Sequence, residues 1–221
     1  MNVIAISNQL YSSTSLMNKD GVAYVMCKED LTAEKLHDLS PEYVFFPHWS
    51  YIIPPEIYNQ FNCVIFHMTD LPFGRGGSPL QNLIIRGIYN TKISAIRCSS
   101  VIDGGDVFLK ADFDIESGSA SEIYKRAGET ISSMIDRIVV EKPTPTPQIG
   151  ASVIFDRRTP AESEIVGLTT PRQLYDFIRM LDAPGYPKAF CVKDGLRFEF
   201  SNAQYNNGCV TATVTVGGSH V

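Results

Sequence analysis

Short apolar runs alternate with amphipathic segments along the first 142 residues. The apolar runs predict strands at Val3–Ile6, Val22–Met26, Tyr43–Phe46, Cys63–His67, Lys92–Cys98 and Val107–Asp112. The amphipathic segments predict helices at Leu31–Leu39, Pro54–Phe61, Ser78–Ile88 and Ser119–Glu141. Strands that alternate with helices favour an α/β fold with a mostly parallel sheet that is covered on both faces. Ligand sites in such sheets lie at the carboxyl ends of the strands, where we expect His67, Ser50, Tyr51 and Asp103 to meet.

A proline-rich segment, Pro143–Pro147, separates this region from a β-rich one. Alternating prolines form a stiff, extended chain, so the segment is interpreted as a linker. After it the pattern predicts one helix, Pro171–Leu181, and strands at Ser152–Asp156, Ala189–Val192, Leu196–Phe200 and Cys209–Val216. The sequence therefore predicts a domain over residues 1–142 and a small β-rich subdomain over residues 143–221.

Composition and charge narrow the class of protein. The chain is 44% hydrophobic, no apolar run approaches the roughly 20 residues of a membrane helix, and the N-terminus has no secretory pattern. We therefore expect a cytoplasmic protein without a membrane partner. The five cysteines are scattered, which favours free thiols over disulfides and gives no metal site. The formal net charge is −5, with 12 Lys+Arg against 17 Asp+Glu in residues 1–142 and 7 against 7 in residues 143–221, so no nucleic-acid partner is expected.

Three features carry candidate chemistry, and each has a structural alternative. His67 follows an apolar strand and could transfer a proton near neutral pH, although a lone histidine is more often structural. The run Arg75-Gly76-Gly77 precedes a helix and could bind an anion at free backbone N–H groups, or could form only a tight turn. The run Asp103-Gly104-Gly105-Asp106 is typical of a turn, but a carboxylate there could orient a nearby imidazole, and metal binding by the acidic pair is a weaker alternative.

The spacing of these features resembles the signature of formyltransferases that use N10-formyltetrahydrofolate. In this chain the signature positions are His67, Thr69, Leu71-Pro72, Arg75-Gly76, Pro79, Gln81 and the turn 103–106. The resemblance implies a Rossmann-like fold, similar to that of methionyl-tRNA formyltransferase, and N10-formyltetrahydrofolate as the formyl donor. It implies catalytic roles for His67, which would move a proton, for Asp103, which would orient His67, and for Thr69 beside them.

The resemblance also implies contacts with both substrates. The residues expected to contact the folate are Tyr51, Ile52, Ile53, Ser100, Val101, Ile102 and Asp106. The residues expected to contact the formyl acceptor are Trp49, Pro72, Arg75, Gly76 and Gly77. Without the resemblance, residues 51–53 would be interpreted as core.

The chain departs from the family pattern at Ile65. The family has an asparagine at this position, and its amide bonds the formyl oxygen. Thr69 or a backbone N–H could replace that donor. The departure also leaves open a noncatalytic relative that still binds folate or a nucleotide sugar.

Two segments after the proline-rich stretch refine the expected acceptor. Arg157–Ser163 and Ile178–Pro187 resemble the C-terminal extension of sugar N-formyltransferases, most closely those of the pseudaminic acid type. The resemblance implies a nucleotide-linked amino-deoxysugar as the acceptor, as in surface polysaccharide biosynthesis. The alternatives are a methionyl-tRNA formyltransferase and a peptide-synthesis formyltransferase. A homodimer through the C-terminal region is a further expectation.

Overall fold

The strands form three sheets. The computed structural model describes residues 1–7, 9–11 and 14–218, without the side chain of Gln9. In chain order, the strands of these residues are β1 (Asn2–Ile6), β2 (Val22–Val25), β3 (Val44–His48), β4 (Cys63–His67), β5 (Phe73–Gly76), β6 (Asn90–Arg97), β7 (Val107–Asp114), β8 (Val153–Phe155), β9 (Ala189–Lys193), β10 (Leu196–Asn206) and β11 (Cys209–Gly218). The orders are β2-β1-β3-β4-β6-β7, β5-β8 and β11-β10-β9.

The central sheet is mostly parallel, as expected. Strands β1 to β4 pair in parallel, while β6 runs antiparallel to β4. The third sheet is antiparallel, so the β-rich character expected of the C-terminal region is also confirmed. The α/β fold class is therefore the predicted one.

Helices complete the layers. They are α1 (Ala33–Leu39), α2 (Pro55–Tyr58), α3 (Pro79–Ile85), α4 (Ala120–Glu141) and α5 (Pro171–Arg179). Successive strand residues point to opposite faces of a sheet, and Val3, Ile4, Ala5 and Ile6 are all fully buried, so both faces of β1 are covered. None of these helices, within the described residues, is long and apolar enough to cross a bilayer.

The chain forms two compact units that interleave in sequence. Unit 1 comprises Met1–Gly76, Thr91–Phe113 and Tyr124–Phe155, and unit 2 comprises Gly77–Asn90, Asp114–Ile123 and Asp156–Val221. Residues 143–155 thus belong to unit 1, whereas the sequence groups them with the C-terminal subdomain. The division into domains at residue 142 stays a prediction about which parts fold independently.

The proline-rich segment is anchored to the sheet at one residue. Val107 at the start of β7 and Thr146 exchange two backbone hydrogen bonds, of 2.8 and 2.9 Å. Both residues lie in unit 1. The segment is extended, as predicted, and it is held along the sheet by this bridge.

The largest differences from the predicted elements lie around the glycine-rich loop. Phe73–Gly76 forms β5 and pairs with β8, because the loop meets a strand distant in sequence. Ser78 precedes α3 with φ of +49° and makes no capping bond; its Oγ accepts a hydrogen bond from the Arg158 backbone N–H at 3.1 Å. Ser78 thus occupies the N-cap position of α3, before Pro79 at the first helical position, but its side chain does not cap the helix.

An ionic cluster on α5 organises unit 2. The buried Asp176 carboxylate accepts hydrogen bonds from Tyr89 Oη at 2.6 Å, Arg172 Nε at 2.8 Å and Arg179 Nε at 2.6 Å. Burial, and then the neighbouring Asp176 carboxylate, raise the pKa of the Tyr89 hydroxyl. Because three donors converge on one carboxylate, α5 is fixed to the segment that holds Tyr89.

Candidate active site

His67 stands at the carboxyl end of β4 and is almost fully buried. Side chains alternate along a strand, so Cys63, Ile65 and His67 share one face of the sheet. The ring Nε2 lies 2.7 Å from the carbonyl oxygen of Gly74. A carbonyl oxygen only accepts hydrogen bonds, so Nε2 carries the proton and, in the neutral ring, Nδ1 carries the lone pair.

Asp103 faces that lone pair. Its Oδ2 lies 3.6 Å from His67 Nδ1, and both side chains are largely buried. The same Oδ2 accepts the backbone N–H of Gly76 at 2.8 Å, which fixes the carboxylate next to the glycine-rich strand β5. The arrangement leaves Nδ1 able to take up a proton, and the resulting imidazolium would be stabilised by the adjacent carboxylate.

The route by which Asp103 reaches His67 differs from the expected one. In the antiparallel β4–β6 pair, Val64 lies opposite Arg97 and His67 opposite Ser94. The end of β6 therefore lies beside the start of β4, and the shared edge of a parallel sheet does not explain the contact. Instead, the turn after β6 folds back, with Asp103 at φ of +48°.

Glycines allow that turn to pack closely. A Cβ on Gly105 would lie 1.8 Å from the carbonyl oxygen of Arg97, and a Cβ on Gly76 would lie 2.5 Å from that of Phe155. Neither oxygen belongs to a flexible side chain, so any larger residue would push the backbone apart. The two glycines therefore hold the carboxylate and its N–H donor in place.

Gln148 links the turn to Arg75, and sequence reasoning missed it. Its Nε2 donates to the carbonyl oxygens of Asp103 and Gly105 at 2.8 and 2.9 Å. Its Oε1 accepts from Arg75 Nε and Nη2 at 3.1 and 2.7 Å. One amide thus satisfies two turn carbonyls and holds the predicted acceptor-binding arginine beside them. No local signal marks Gln148, which follows the proline-rich segment.

Thr69 lies beside His67, as expected, but its hydroxyl already has a partner. Thr69 is fully buried, and its Oγ1 donates to the same Gly74 carbonyl oxygen at 3.4 Å. Ile65 packs with the core residues on its face of the sheet and offers no polar group. Asn62, the nearby amide, donates to the Glu42 carbonyl oxygen. The structure therefore puts no asparagine-like donor at position 65.

The aromatic residues that follow β3 contact one another. The Trp49 ring lies 5.5 Å from that of Tyr51, and Lys28 Nζ lies 5.8 Å from the Tyr51 ring centre. Tyr51 and Ile52 are exposed, whereas Ile53 is buried in the core, so only the backbone of Ile53 could meet a ligand. The indole Nε1 of Trp49 is buried and has no hydrogen-bond partner within the described part of the chain.

The remaining predicted residues are four in the connection that contains Asp103, together with Pro72 and Gly77. Val101 and Ile102 are exposed apolar side chains in the turn before Asp103, with Ser100 exposed beside them. Asp106 closes the turn through its carbonyl oxygen, which accepts the Arg97 N–H at 2.8 Å. Pro72 follows Leu71 through a cis peptide bond, and its carbonyl oxygen accepts the Val153 N–H. Gly77 belongs to unit 2, where a Cβ would clash with Arg157.

Cys98, at the end of β6, is not an alternative nucleophile. Burial raises the pKa of its thiol to about 11. The thiolate is the nucleophilic form of cysteine, so Cys98 stays protonated and unreactive near neutral pH. The candidate chemistry therefore rests on His67 and Asp103.

Comparisons with known proteins identify the family. The family model for the C-terminal domain of methionyl-tRNA formyltransferase matches residues 160–217. A solved structure described as methionyl-tRNA formyltransferase from Clostridium thermocellum is 45% identical, covers 99% of both chains and superimposes with a TM-score of 0.91. This chain belongs to the formyltransferase family.

Other relatives are more distant. The methionyl-tRNA formyltransferase of Bacillus licheniformis is 26% identical over 176 residues, which are 76% of this chain and 55% of that protein. The chain spans about half the length of the curated relatives it matches. A 4-N formyltransferase from Francisella tularensis is 17% identical, with 96% of both chains covered and a TM-score of 0.64, and it shares the fold.

Proposed function

We propose that this protein transfers the formyl group of N10-formyltetrahydrofolate to a primary amine, with His67 and Asp103 as its acid–base pair. One observation carries the proposal: in a member of the formyltransferase family, His67 Nδ1 lies 3.6 Å from Asp103 Oδ2 while Nε2 is held by a carbonyl oxygen. That geometry prepares one ring nitrogen for proton uptake. The other nitrogen, Nε2, holds the ring in place through its hydrogen bond to the Gly74 carbonyl oxygen.

His67 would remove a proton from the amine at Nδ1. The folate supplies the electrophilic formyl carbon, and the side chains hold the amine against it. As the amine nitrogen bonds that carbon, the bond from the carbon to N10 breaks, and the proton held by His67 would pass to N10 of the departing tetrahydrofolate. Asp103 Oδ2, held by the Gly76 N–H, would stabilise the charge that His67 gains. No covalent bond to the protein is required in this scheme.

The residues after β3 suit a flat, partly polar donor. Trp49 Nε1 is a buried donor without a partner among the described residues, and an acceptor atom of a bound pterin would satisfy it. The exposed apolar side chains of Tyr51, Ile52, Val101 and Ile102 would lose contact with water against such a ligand. We therefore keep these residues, with the backbone of Ile53 and with Ser100 and Asp106, as the proposed folate contacts.

Two acceptors are proposed, each on a different observation. Methionyl-tRNA is favoured by the relatives, including the 45% identical structure that bears that description. A nucleotide-linked amino sugar, of the pseudaminic acid type or another, is favoured by charge. Residues 189–218, which hold β9 to β11 and their turns, carry Lys193 and Arg197 against Asp194 and Glu199, without the excess of cations that nucleic-acid binding requires.

One assay separates these acceptors and tests the function. The full chain is incubated with N10-formyltetrahydrofolate and, in separate arms, methionyl-tRNA, nucleotide-linked amino sugars and free amino acids. Release of tetrahydrofolate is followed by absorbance and the formylated product by mass spectrometry. We expect turnover with one acceptor class. The His67→Ala protein serves as the negative control. Absence of turnover with every acceptor, despite folate binding, would favour the noncatalytic alternative.

Gln148→Glu is expected to lower kcat about 10- to 100-fold while KM for the folate changes little. A carboxylate can still accept from Arg75, but it has no N–H for the carbonyl oxygens of Asp103 and Gly105. An unpaired buried acceptor costs about 1–3 kcal/mol, so the turn that aims Asp103 should shift. Steady-state kinetics with the preferred acceptor give the result.

The control is Gln60→Glu, which adds the same charge at an exposed amide bonded to His37. Gln148→Ala removes the bridge without adding a charge. Its kcat should lie between that of Gln148→Glu and that of Gln60→Glu. Activity of Gln148→Glu within about twofold of the parent, at equal melting temperature, would remove Gln148 from the positioning of the turn.

The cellular compartment and the oligomeric state of this protein are also proposals. The five cysteines are all free thiols, as a reducing, cytoplasmic compartment would maintain them. A homodimer is proposed through the C-terminal sheet, where Leu196, Val214 and Val216 expose apolar side chains. Sedimentation of the full chain would test the dimer.

A further inference from the structure

Unit 2 contains a cavity that plays no part in the proposed transfer. It is an open cleft of about 640 Å³, within the usual size range of small-molecule sites. All its lining residues belong to unit 2, and neither His67 nor Asp103 is among them. The side chains that carry the argument are Ser121, Tyr175, Arg179, Asn202, Gln204 and Asn206.

A buried arginine on the cavity wall has an unused donor. Arg179 is only 1% exposed. Its Nε donates to Asp176, and its Nη1 donates to the carbonyl oxygens of Ile115 and Gly118. Within the described chain, Nη2 has no hydrogen-bond partner. Buried donors are rarely left unpaired, so an acceptor from a bound ligand is the expected partner.

A β-bulge turns polar side chains toward the same place. The register between β10 and β11 shifts between Ser201 and Gln204, and Asn202 in the bulge has φ of +52°. The Asn202 backbone N–H donates to Asp182 Oδ2 at 2.7 Å, which fixes the bulge. Bulges re-aim side chains and are common beside binding sites. Here the bulge places Asn202, Gln204 and Asn206 around one cavity.

The charges of the lining argue against an anion. Glu122 and Asp182 both line the cavity. Glu122 accepts hydrogen bonds from Ser119 N and Oγ, and Asp182 pairs with Lys188 at 2.5 Å. Arg179, for its part, is paired with Asp176. Arg172 shares that carboxylate, so three cations, Arg172, Arg179 and Lys188, stand against three carboxylates, Glu122, Asp176 and Asp182. Because these charges balance, a neutral ligand fits better than an anion.

The polar groups and the rings together define the ligand class. Each amide offers both a donor and an acceptor, which matches hydroxyl groups that also do both. Tyr175 and Tyr205 have ring centres 5.8 Å apart and provide apolar surface for the C–H face of a sugar ring. We propose that this cavity binds a neutral saccharide, as a site separate from the proposed formyl-transfer site.

The test uses the full chain with D-glucose, D-galactose, N-acetyl-D-glucosamine and their disaccharides as probes, read by saturation-transfer NMR and calorimetry. We expect at least one to bind with a Kd of about 1 mM or below. Gln204→Ala with Asn206→Ala should weaken that binding at least about fivefold, the value of one or two hydrogen bonds. Thr215→Ala, on β11 outside the cavity lining, is the matched control and should bind as the parent does.

The outcomes also distinguish this site from the transfer site. Binding that persists in His67→Ala supports a separate saccharide site, whatever that variant's formylation rate. Absence of binding by every sugar would overturn the proposal. So would sugar binding that ignores the double substitution, or inorganic phosphate that binds the cavity while neutral sugars do not.

Discussion

His67→Ala is expected to lower kcat for formyl transfer by about 10²–10⁴-fold, the usual contribution of a positioned acid–base group. The substitution removes Nδ1, which we propose takes the proton of the amine, and it removes the ring that Asp103 Oδ2 faces at 3.6 Å. It also removes one donor from the Gly74 carbonyl oxygen, which Thr69 Oγ1 contacts at the longer distance of 3.4 Å. A loss of a few degrees in melting temperature should therefore accompany the kinetic effect.

Two further variants separate chemistry from stability. His67→Gln keeps an N–H group that can reach the Gly74 carbonyl oxygen but has no basic nitrogen, so it should regain stability without regaining rate. His37→Ala, an exposed histidine on α1, is the matched control and should keep the parent rate. A His67→Ala protein with a near-normal formylation rate would make the acid–base assignment wrong.

Asp103→Asn is expected to reduce kcat by about 10²–10³-fold with little change in melting temperature. Asparagine tolerates the positive φ at this position and its oxygen can still accept the Gly76 N–H, so the turn should persist. What it lacks is the negative charge that stabilises His67 after the ring gains a proton. Kinetics at saturating folate, with circular dichroism as the check on folding, provide the measurement.

The pair should act as a unit. Because Asp103 works only through His67, the double variant His67→Ala with Asp103→Asn should be no slower than His67→Ala alone. Asp112→Asn, which removes an exposed carboxylate paired with Lys92, controls for the change in net charge. Additive losses in the double variant would mean that Asp103 acts on the reaction independently of His67.

The local pattern was sufficient for most elements of the fold. The predicted strand Cys63–His67 is β4, and the predicted helix Ser119–Glu141 differs from α4 by one residue. Strand and helix periodicities depend on neighbours a few residues apart. Burial of one face of an element therefore appears in the sequence as a regular spacing of apolar residues. The glycine-rich strand β5 has no such spacing of apolar residues. It is a strand because it pairs with β8, which lies far along the chain.

Only part of the candidate site could be predicted from the sequence. His67, Asp103, Arg75 and Gly76 could be named because their residue types match a family signature. The bridge by Gln148 could not, since it spans 45 positions and its value depends on two backbone carbonyls meeting one amide. The partner of the Ser78 hydroxyl could not be predicted for a similar reason, because it is the backbone N–H of Arg158, 80 positions away.

The sequence by itself determined the α/β class, the order of the elements and the chemical groups at 67 and 103. Only the tertiary structure decided that these two groups meet, because β6 runs antiparallel to β4 and the turn after it must fold back to reach the imidazole. It alone also decided which nitrogen of His67 holds a proton, through a carbonyl oxygen seven residues away. Periodicity specifies which face of an element is buried, whereas the approach of two distant loops depends on how the whole chain packs.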